Sequence, residues 1–282
     1  MQPSEVFKYW IAERWDILQK KERGEPKPWT KDIILQSFRF CNVRREDDTV
    51  TKWIRTNWNH PESKNLPLAM ALARFLNVPS TLAYVGYPHD WLPNKVCVDL
   101  CRLEDSGRKV WGSAYIVSTN GRSMRKVEYI VYHVLDSLHG RMMDGSQPTG
   151  KNLRAYSEWL QEVDGIGSFM AGQIIADLKN TAGTPWSHAE DWDTFCTPGP
   201  GSKRGLNRLM GRSAIAPMND AKFQAEIGYA RDLADQVSQE TALKESVPHL
   251  SAQDVQNCLC EFDKYMRVKN GEGRPRQTYP GV

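Results

Sequence analysis

The stretch "VDGIGSFMAGQIIADLKNT", Val163 to Thr181, sets Gly165 and Gly167 two apart between two apolar-periodic segments. Upstream, Leu153, Tyr156, Leu160 and Val163 recur at helical spacing; downstream, Met170, Ile174, Ile175 and Leu178 do the same. The pattern predicts a helix, a tight Asp164-Gly165-Ile166-Gly167 turn and a second helix. Glycine at both positions permits backbone angles that other residues resist and lets another backbone come close. Ile166 is expected to plug the turn into the core, and Ser168 to cap the second helix. A helix start of this kind can bind phosphate through main-chain N–H groups, without sequence preference. Gly165, Gly167 and Ser168 are therefore candidate DNA-backbone contacts. A G-x-G alone would also suit an ordinary helix–helix turn.

Outward from the hairpin, the helical period dominates. Val6, Trp10, Ile17 and Leu18 suit a first helix that stops at "RGEPKPW". Residues 66 to 77 ("LPLAMALARFLN") are apolar on most faces and read as a buried helix, ended by Val78-Pro79. Val127 to Leu135, 219 to 237 and 251 to 268 continue the pattern. "WGSAYIVSTNG" reads as a short extended piece or a helix end leading to a loop, closed by the turn dipeptide Asn120-Gly121. The chain is predicted to be mainly α, a single compact unit over 1–282, with the hairpin region at 153–213.

Composition sets the class. Hydrophobic content of 40% and ten tryptophans support a packed core. No apolar run approaches the ~20 residues a membrane helix needs, and "MQPSEVFKYW" lacks the basic-then-apolar order of a secretion signal. A cytosolic location without membrane association is expected. The six cysteines read as free thiols, and their spacing suggests no metal site. No cofactor is expected. The formal charge is only +3, so local patches set the field a phosphate would feel. Lys203, Arg204, Arg208 and Arg212 carry no acid among them, and Lys264, Arg267, Lys269, Arg274 and Arg276 face Glu272 alone.

After the hairpin come the acids Glu190, Asp191 and Asp193, then "GPGSKRGLN". Gly199, Gly201 and Ser202 followed by Lys203 and Arg204 are expected to form a loop whose exposed N–H groups make a phosphate nest. A second polar cluster, Arg39, Asn42, Arg44, Arg45, Glu46 and Asp48, sits between Phe38, Phe40 and Trp53.

The hairpin resembles the helix–hairpin–helix of DNA base-excision glycosylases, which implies a glycosylase-like, two-lobed helical fold. In those enzymes an aspartate follows the second glycine by some twenty residues; Asp191 matches best, with Glu190 and Asp193 as neighbours. Four segments are similar to a narrower family: residues 13–54, "WGSAYIVSTNGRSMRKVEYI", "DWDTFCTPGPGSKRGLNRLMG" and "CLCEFDKYMRVKNGEGRPR". They resemble the phage alpha-glutamyl/putrescinyl thymine pyrophosphorylases, whose module also appears as the helical part of some 5-hydroxymethyluracil DNA kinases.

That resemblance implies an enzyme, a transferase acting on double-stranded DNA in the host cytoplasm during phage infection. It would displace pyrophosphate from 5-(pyrophosphooxymethyl)uracil with the amine of an amino acid or polyamine. Asp191 would be general base or partner of the incoming ammonium. Arg39 and Arg45 would hold pyrophosphate or a carboxylate, and Asn42 a base or backbone group. Gly199, Gly201, Ser202, Lys203, Arg204 and Asn207 would complete the pyrophosphate site. Ser118, Thr119 and Asn120 would face an extruded base, because a base inside a duplex must leave the stack for chemistry. Three alternatives carry less: a base glycosylase, whose usual hairpin lysine is replaced by Ser168 and Phe169; a self-contained kinase, for which no G-x-x-x-x-G-K-[ST] occurs; and a non-catalytic or kinase-associated DNA-binding module.

Overall fold

The computed structural model describes residues 2–115, 117–239, 245–275 and 278. Two expectations touch residues outside that set: Ile116 of the extended piece and Arg276 of the basic tail. The chain divides into two compact units, one formed by residues 1–48 and 193–282, the other by 49–192. Among the described residues the architecture is helical, and pairing of extended chain is confined to an isolated antiparallel bridge between Phe38 and Thr278.

The first unit contains α1 (Pro3–Glu22), α2 (Ile33–Ser37), and later α11 (Pro200–Leu209), α12 (Asp220–Gln239) and α13 (Ala252–Lys269). Its core joins the apolar stripe of α1 to α12 and α13, with Phe7 meeting Phe262 edge-on at 5.2 Å. Arg14 lies on that stripe, four residues after Trp10, and is only 5% exposed. Its guanidinium donates to the carbonyls of Phe40 and Cys41 and to Asn42 Oδ1, so the charge braces the extended segment after α2.

The second unit runs through α3 (Thr49–Asn57), α4 (Leu66–Leu76), α5 (Pro79–Val85) and α6 (Pro93–Asp105). It continues with α7 (Lys126–Glu128), a π-helical stretch (Tyr129–Leu135) and α8 (Asp136–Met143), and closes with α9 (Leu153–Gln161) and α10 (Ser168–Lys179). Every residue of α4 is buried, as a sequence apolar at every position but one demands, and Asn77 ends it in the left-handed conformation at φ 51°. The single charge in α4, Arg74 (2% exposed), meets Asp177 of α10 (fully buried) through two 2.5 Å hydrogen bonds, and also donates to Thr51. A buried arginine forked on a carboxylate fixes α4 against α10; removing one partner of such a pair costs about 3–5 kcal/mol. Among the described residues no helix is long and apolar enough to cross a membrane.

Candidate functional site

The hairpin of the second unit forms as its glycines require, with one difference at the helix start. Val163 and Ile166 turn inward, each 2% exposed. Gly165 sits at φ +97°, and a Cβ there would stand 2.6 Å from Val134 Cγ2 and 2.8 Å from the Tyr129 hydroxyl. Gly167 has an ordinary extended conformation (φ −79°, ψ 172°), and a Cβ would meet nothing within 4 Å. The N-cap is Gly167 rather than Ser168. A capping residue must be extended, and Ser168 is already helical. As N-cap, Gly167 brings no side chain to the first N–H groups of α10.

Beside the hairpin lies a cavity of about 400 Å³. Gly165, Gly167 and Phe169 line it from the hairpin side, and Tyr115, Ser118 and Asn120 from the loop after α6. The sequence places Gly165 and Gly167 in a backbone contact and Ser118 and Asn120 in a base pocket; all four line this one cavity, and Phe169 and Tyr115 join them there. Asn120 (φ 50°) and Gly121 (φ 78°) are both left-handed, which turns the loop sharply. Ser118 Oγ donates to Asn120 Oδ1 at 3.2 Å, and Asn120 Nδ2 donates to the Tyr129 hydroxyl at 2.9 Å. Thr119 serves the turn itself, donating to the Arg122 carbonyl at 3.0 Å.

The π-helical stretch carries Tyr129 and His133, whose rings stack at 5.2 Å. Such stretches are uncommon and recur at functional sites. His133 Nε2 and an Arg122 guanidinium nitrogen each stand 2.7 Å from the same oxygen of Asp164, the first residue of the glycine turn. Those contacts, His133 foremost and then Arg122, hold the Asp164 carboxyl below the usual range.

In the first unit, the expected glycine-rich loop is helical from Pro200. Gly199 is the N-cap, with Pro200 at N1 where its missing N–H costs nothing. Ser202, fully buried, receives the Gly199 N–H and donates back to the Gly199 carbonyl, each at 3.0 Å. Gly201 and Gly205 face α13: a Cβ on Gly201 would run into the Cys260 sulfur, and one on Gly205 into the Leu259 carbonyl. These glycines let two helices approach closely. Lys203 pairs with Asp220, Arg204 with Asp263 through Nε, and Arg208 with Asp263 and Glu272. Asn207, 1% exposed, donates to the carbonyls of Ala214 and Ala216.

The 39–48 cluster is a braced loop. Asn42 donates to the Asp47 carbonyl, accepts from Arg14, and its N–H reaches Asp48. The Arg45 N–H donates to Asp254 at 2.9 Å, and Arg39 is exposed. Asp254 also receives the Ser251 hydroxyl at the start of α13. Neither Arg14 nor Asp254 was read as part of this cluster; a charge on the apolar stripe of α1 was the available signal for the first.

Asp191 caps a helix. Its two oxygens accept the N–H groups of Leu153 (2.7 Å) and Arg154 (3.0 Å), at the start of α9. The acid is thereby fixed to the first helix of the hairpin. Asp193, in the other unit, pairs with Arg231 and with His249 at 2.7 Å, and Glu190 is exposed.

A family model described as 5-hmdU DNA kinase, helical domain, matches residues 2–274. The chain belongs to that family. A curated protein named 5-hmdU DNA kinase, from Bacillus phage SP10, is 24% identical over 280 residues, covering 90% of this chain and 43% of the relative. The chain thus spans less than half the length of that relative. No solved structure matches it. Membership of this family agrees with the broader resemblance read from the sequence, a phage DNA-modification family.

Proposed function

We propose that the chain modifies phage DNA, displacing pyrophosphate from 5-(pyrophosphooxymethyl)uracil with the amine of an amino acid or polyamine. In the reaction the amine nitrogen bonds to the exocyclic methylene carbon and the carbon–oxygen bond to pyrophosphate breaks. The bonding pair leaves with pyrophosphate, and the amine's surplus proton passes to a base. The glycosylase-like reading of the helix–hairpin–helix belongs to the same proposal, with Gly165, Gly167 and the start of α10 against the DNA backbone.

The observation that carries this reading is the single cavity shared by the hairpin glycines and the Ser118–Asn120 turn. A strand anchored at the hairpin would have a polar-edged recess immediately beside it. Asp191 keeps the role of proton acceptor or ammonium partner. Each carboxylate oxygen has two lone pairs, and its capping bonds use one apiece. Lys203, Arg204, Arg39 and Arg45 supply charge for pyrophosphate. Lys203 pairs with Asp220, which is 64% exposed, and such a surface pair exchanges partners at little cost; Arg204 is 38% exposed, and the buried Asp263 it would leave still holds Arg208.

A second reading has one observation in its favour: the matched relative is named a kinase and this chain spans 43% of it. On that reading the chain is a DNA-binding helical module, and phosphorylation is done elsewhere. Duplex DNA bearing the pyrophosphorylated base, incubated with pooled amines and analysed as nucleosides by mass, separates the two. The transferase yields amine-linked thymidine and free pyrophosphate. DNA binding without adduct leaves the module reading, and abasic product would point to a glycosylase.

A further inference from the structure

We infer that the second unit carries a further DNA-backbone surface, in which Arg108, Lys109 and Lys126 neutralise phosphates of the duplex that flanks the hairpin. The inference rests on the DNA-binding half of the proposed function and needs none of its chemistry.

Charge supplies the first argument. From Ser106 to Lys126 the chain carries Arg108, Lys109, Arg122, Arg125 and Lys126 and no acid. Two of the five are engaged. Arg122 meets Asp164 of the hairpin at 2.7 Å, and Arg125 meets Glu104 and Asp105 at 3.0 and 2.9 Å. Glu128, the next acid along the chain, accepts the Arg125 N–H. Among the described residues, Arg108, Lys109 and Lys126 have no acid within ion-pair distance. Charge alone would describe a solvated surface, so the way these cations are held decides the matter.

Placement supplies the second. The chain after α6 is fixed to α4 and α5. Val110 turns inward and is 2% exposed, whereas Arg108 and Lys109 on its N-terminal side are exposed. The Lys109 carbonyl accepts from the buried Thr81 hydroxyl at 2.8 Å, and the Gly112 N–H donates to the Leu76 carbonyl at 2.7 Å. A Cβ on Gly112 would stand 2.7 Å from the Asn77 carbonyl oxygen, so glycine lets the chain lie this close to the end of α4. Two of the three cations are also seated on rings. Lys126 Nζ lies 4.4 Å from the centre of Trp111, and the Arg108 guanidinium 5.7 Å from that of Tyr84. Trp111 is itself tied to Glu104 through Nε1 at 3.2 Å. An aromatic seat holds a cation without cancelling its charge. Charges ordered in advance lose less freedom when they meet a phosphate.

Continuity supplies the third. Arg122 joins this run to the hairpin, and Tyr115, Ser118 and Asn120 within it line the same cavity as Gly165 and Gly167. A duplex carries a charge about every 1.7 Å of its axis, so its field reaches well beyond a single anchoring point. The surface that adjoins the hairpin on this side is the one with three uncompensated cations.

The test measures affinity for unmodified duplex DNA across a salt series, with no amine or pyrophosphate present. Each cation that neutralises a phosphate adds about 0.9 to the slope of log affinity against log salt. The triple variant Arg108→Gln, Lys109→Gln, Lys126→Gln should lose about 2 to 3 from that slope. It should also melt close to the parent, because no ion pair is broken. A control removes the same charge elsewhere, by Lys21→Gln, Lys31→Gln and Lys64→Gln, and should keep the parental slope. A folded triple variant with the parent's slope overturns this inference alone and leaves the DNA-binding reading standing. A control that loses as much also overturns it, because the effect would then belong to net charge. A parent protein that does not bind duplex sinks the inference and the DNA-binding reading together.

Discussion

Two glycine clusters carry this chain's most distinctive sequence motifs, and the fold uses them in opposite ways. Gly201 and Gly205 disappear beneath α13, where a Cβ would strike Cys260 and the Leu259 backbone. Gly165 and Gly167 divide the work between them. The first is locked by φ +97° and by Val134 and Tyr129, whereas the second faces open space at ordinary angles. A glycine that packing or backbone angles require is explained by the fold. A glycine that nothing in the fold requires points outward, to whatever approaches it. Gly199 also faces open space at ordinary angles, but Ser202 takes its N–H; with that donor engaged, the hairpin rather than the "GPGSKRG" segment is where a backbone ligand is expected.

Substitutions can break this comparison. The largest effect is expected for Gly205→Ala, because helix backbone cannot step aside as a side chain can. A loss of about 3 kcal/mol or more should appear as a fall in denaturant midpoint at unchanged slope. If the variant is as stable as the parent, the close approach of α11 and α13 is wrong. Gly165→Ala comes next. It combines a strained positive φ with contact against Val134 and Tyr129, and should cost about 1–3 kcal/mol in the same titration.

The smallest effect sharpens the packed side. Arg208 hydrogen-bonds Glu272 and draws its carboxyl down to about 2, with Asn270 assisting, against an ordinary value of 4.5. A carboxyl lowered on folding stabilises the protein fully above its unfolded value and loses that contribution as pH falls through the folded one. Glu272→Gln should therefore melt about a degree lower than the parent at neutral pH, an effect kept small by solvent screening. The gap should close between pH 4.5 and about 2. A gap that persists unchanged at the acid end would assign the loss to something other than this ion pair.

The apolar periodicity made most helices legible, because each buries one face: 66–77, 153–163, 170–178 and the late pair lie where the spacing put them. Asn120-Gly121 was legible as a turn for a local reason, two residues tolerant of positive φ. What escaped was non-local. Pro200 and Gly201 look like helix breakers until α13 is seen to need small residues opposite it, at Gly201 and Gly205. Asp191 caps a helix that begins 38 residues earlier in the chain, and Arg74 finds Asp177 across 103. No window of sequence contains either pair. The π-helical register of Tyr129–Leu135 was hidden for another reason: its apolar residues fit an ordinary helical period equally well. That register carries Tyr129 and His133 beside the hairpin, so the least legible element borders the cavity.

The most direct test of an outward-facing hairpin is Gly167→Asp, read in two titrations on one preparation. Aspartate is a better N-cap than glycine and its Cβ meets nothing, so thermal stability should be equal to the parent's or slightly higher. A carboxylate standing at the start of α10 should repel phosphate and occupy its donors. Affinity for duplex DNA at moderate salt should then fall at least about tenfold, the order of one charge-assisted contact. A folded, fully stable variant that binds duplex as tightly as the parent would contradict the account, and would make Gly167 no more than the start of a helix.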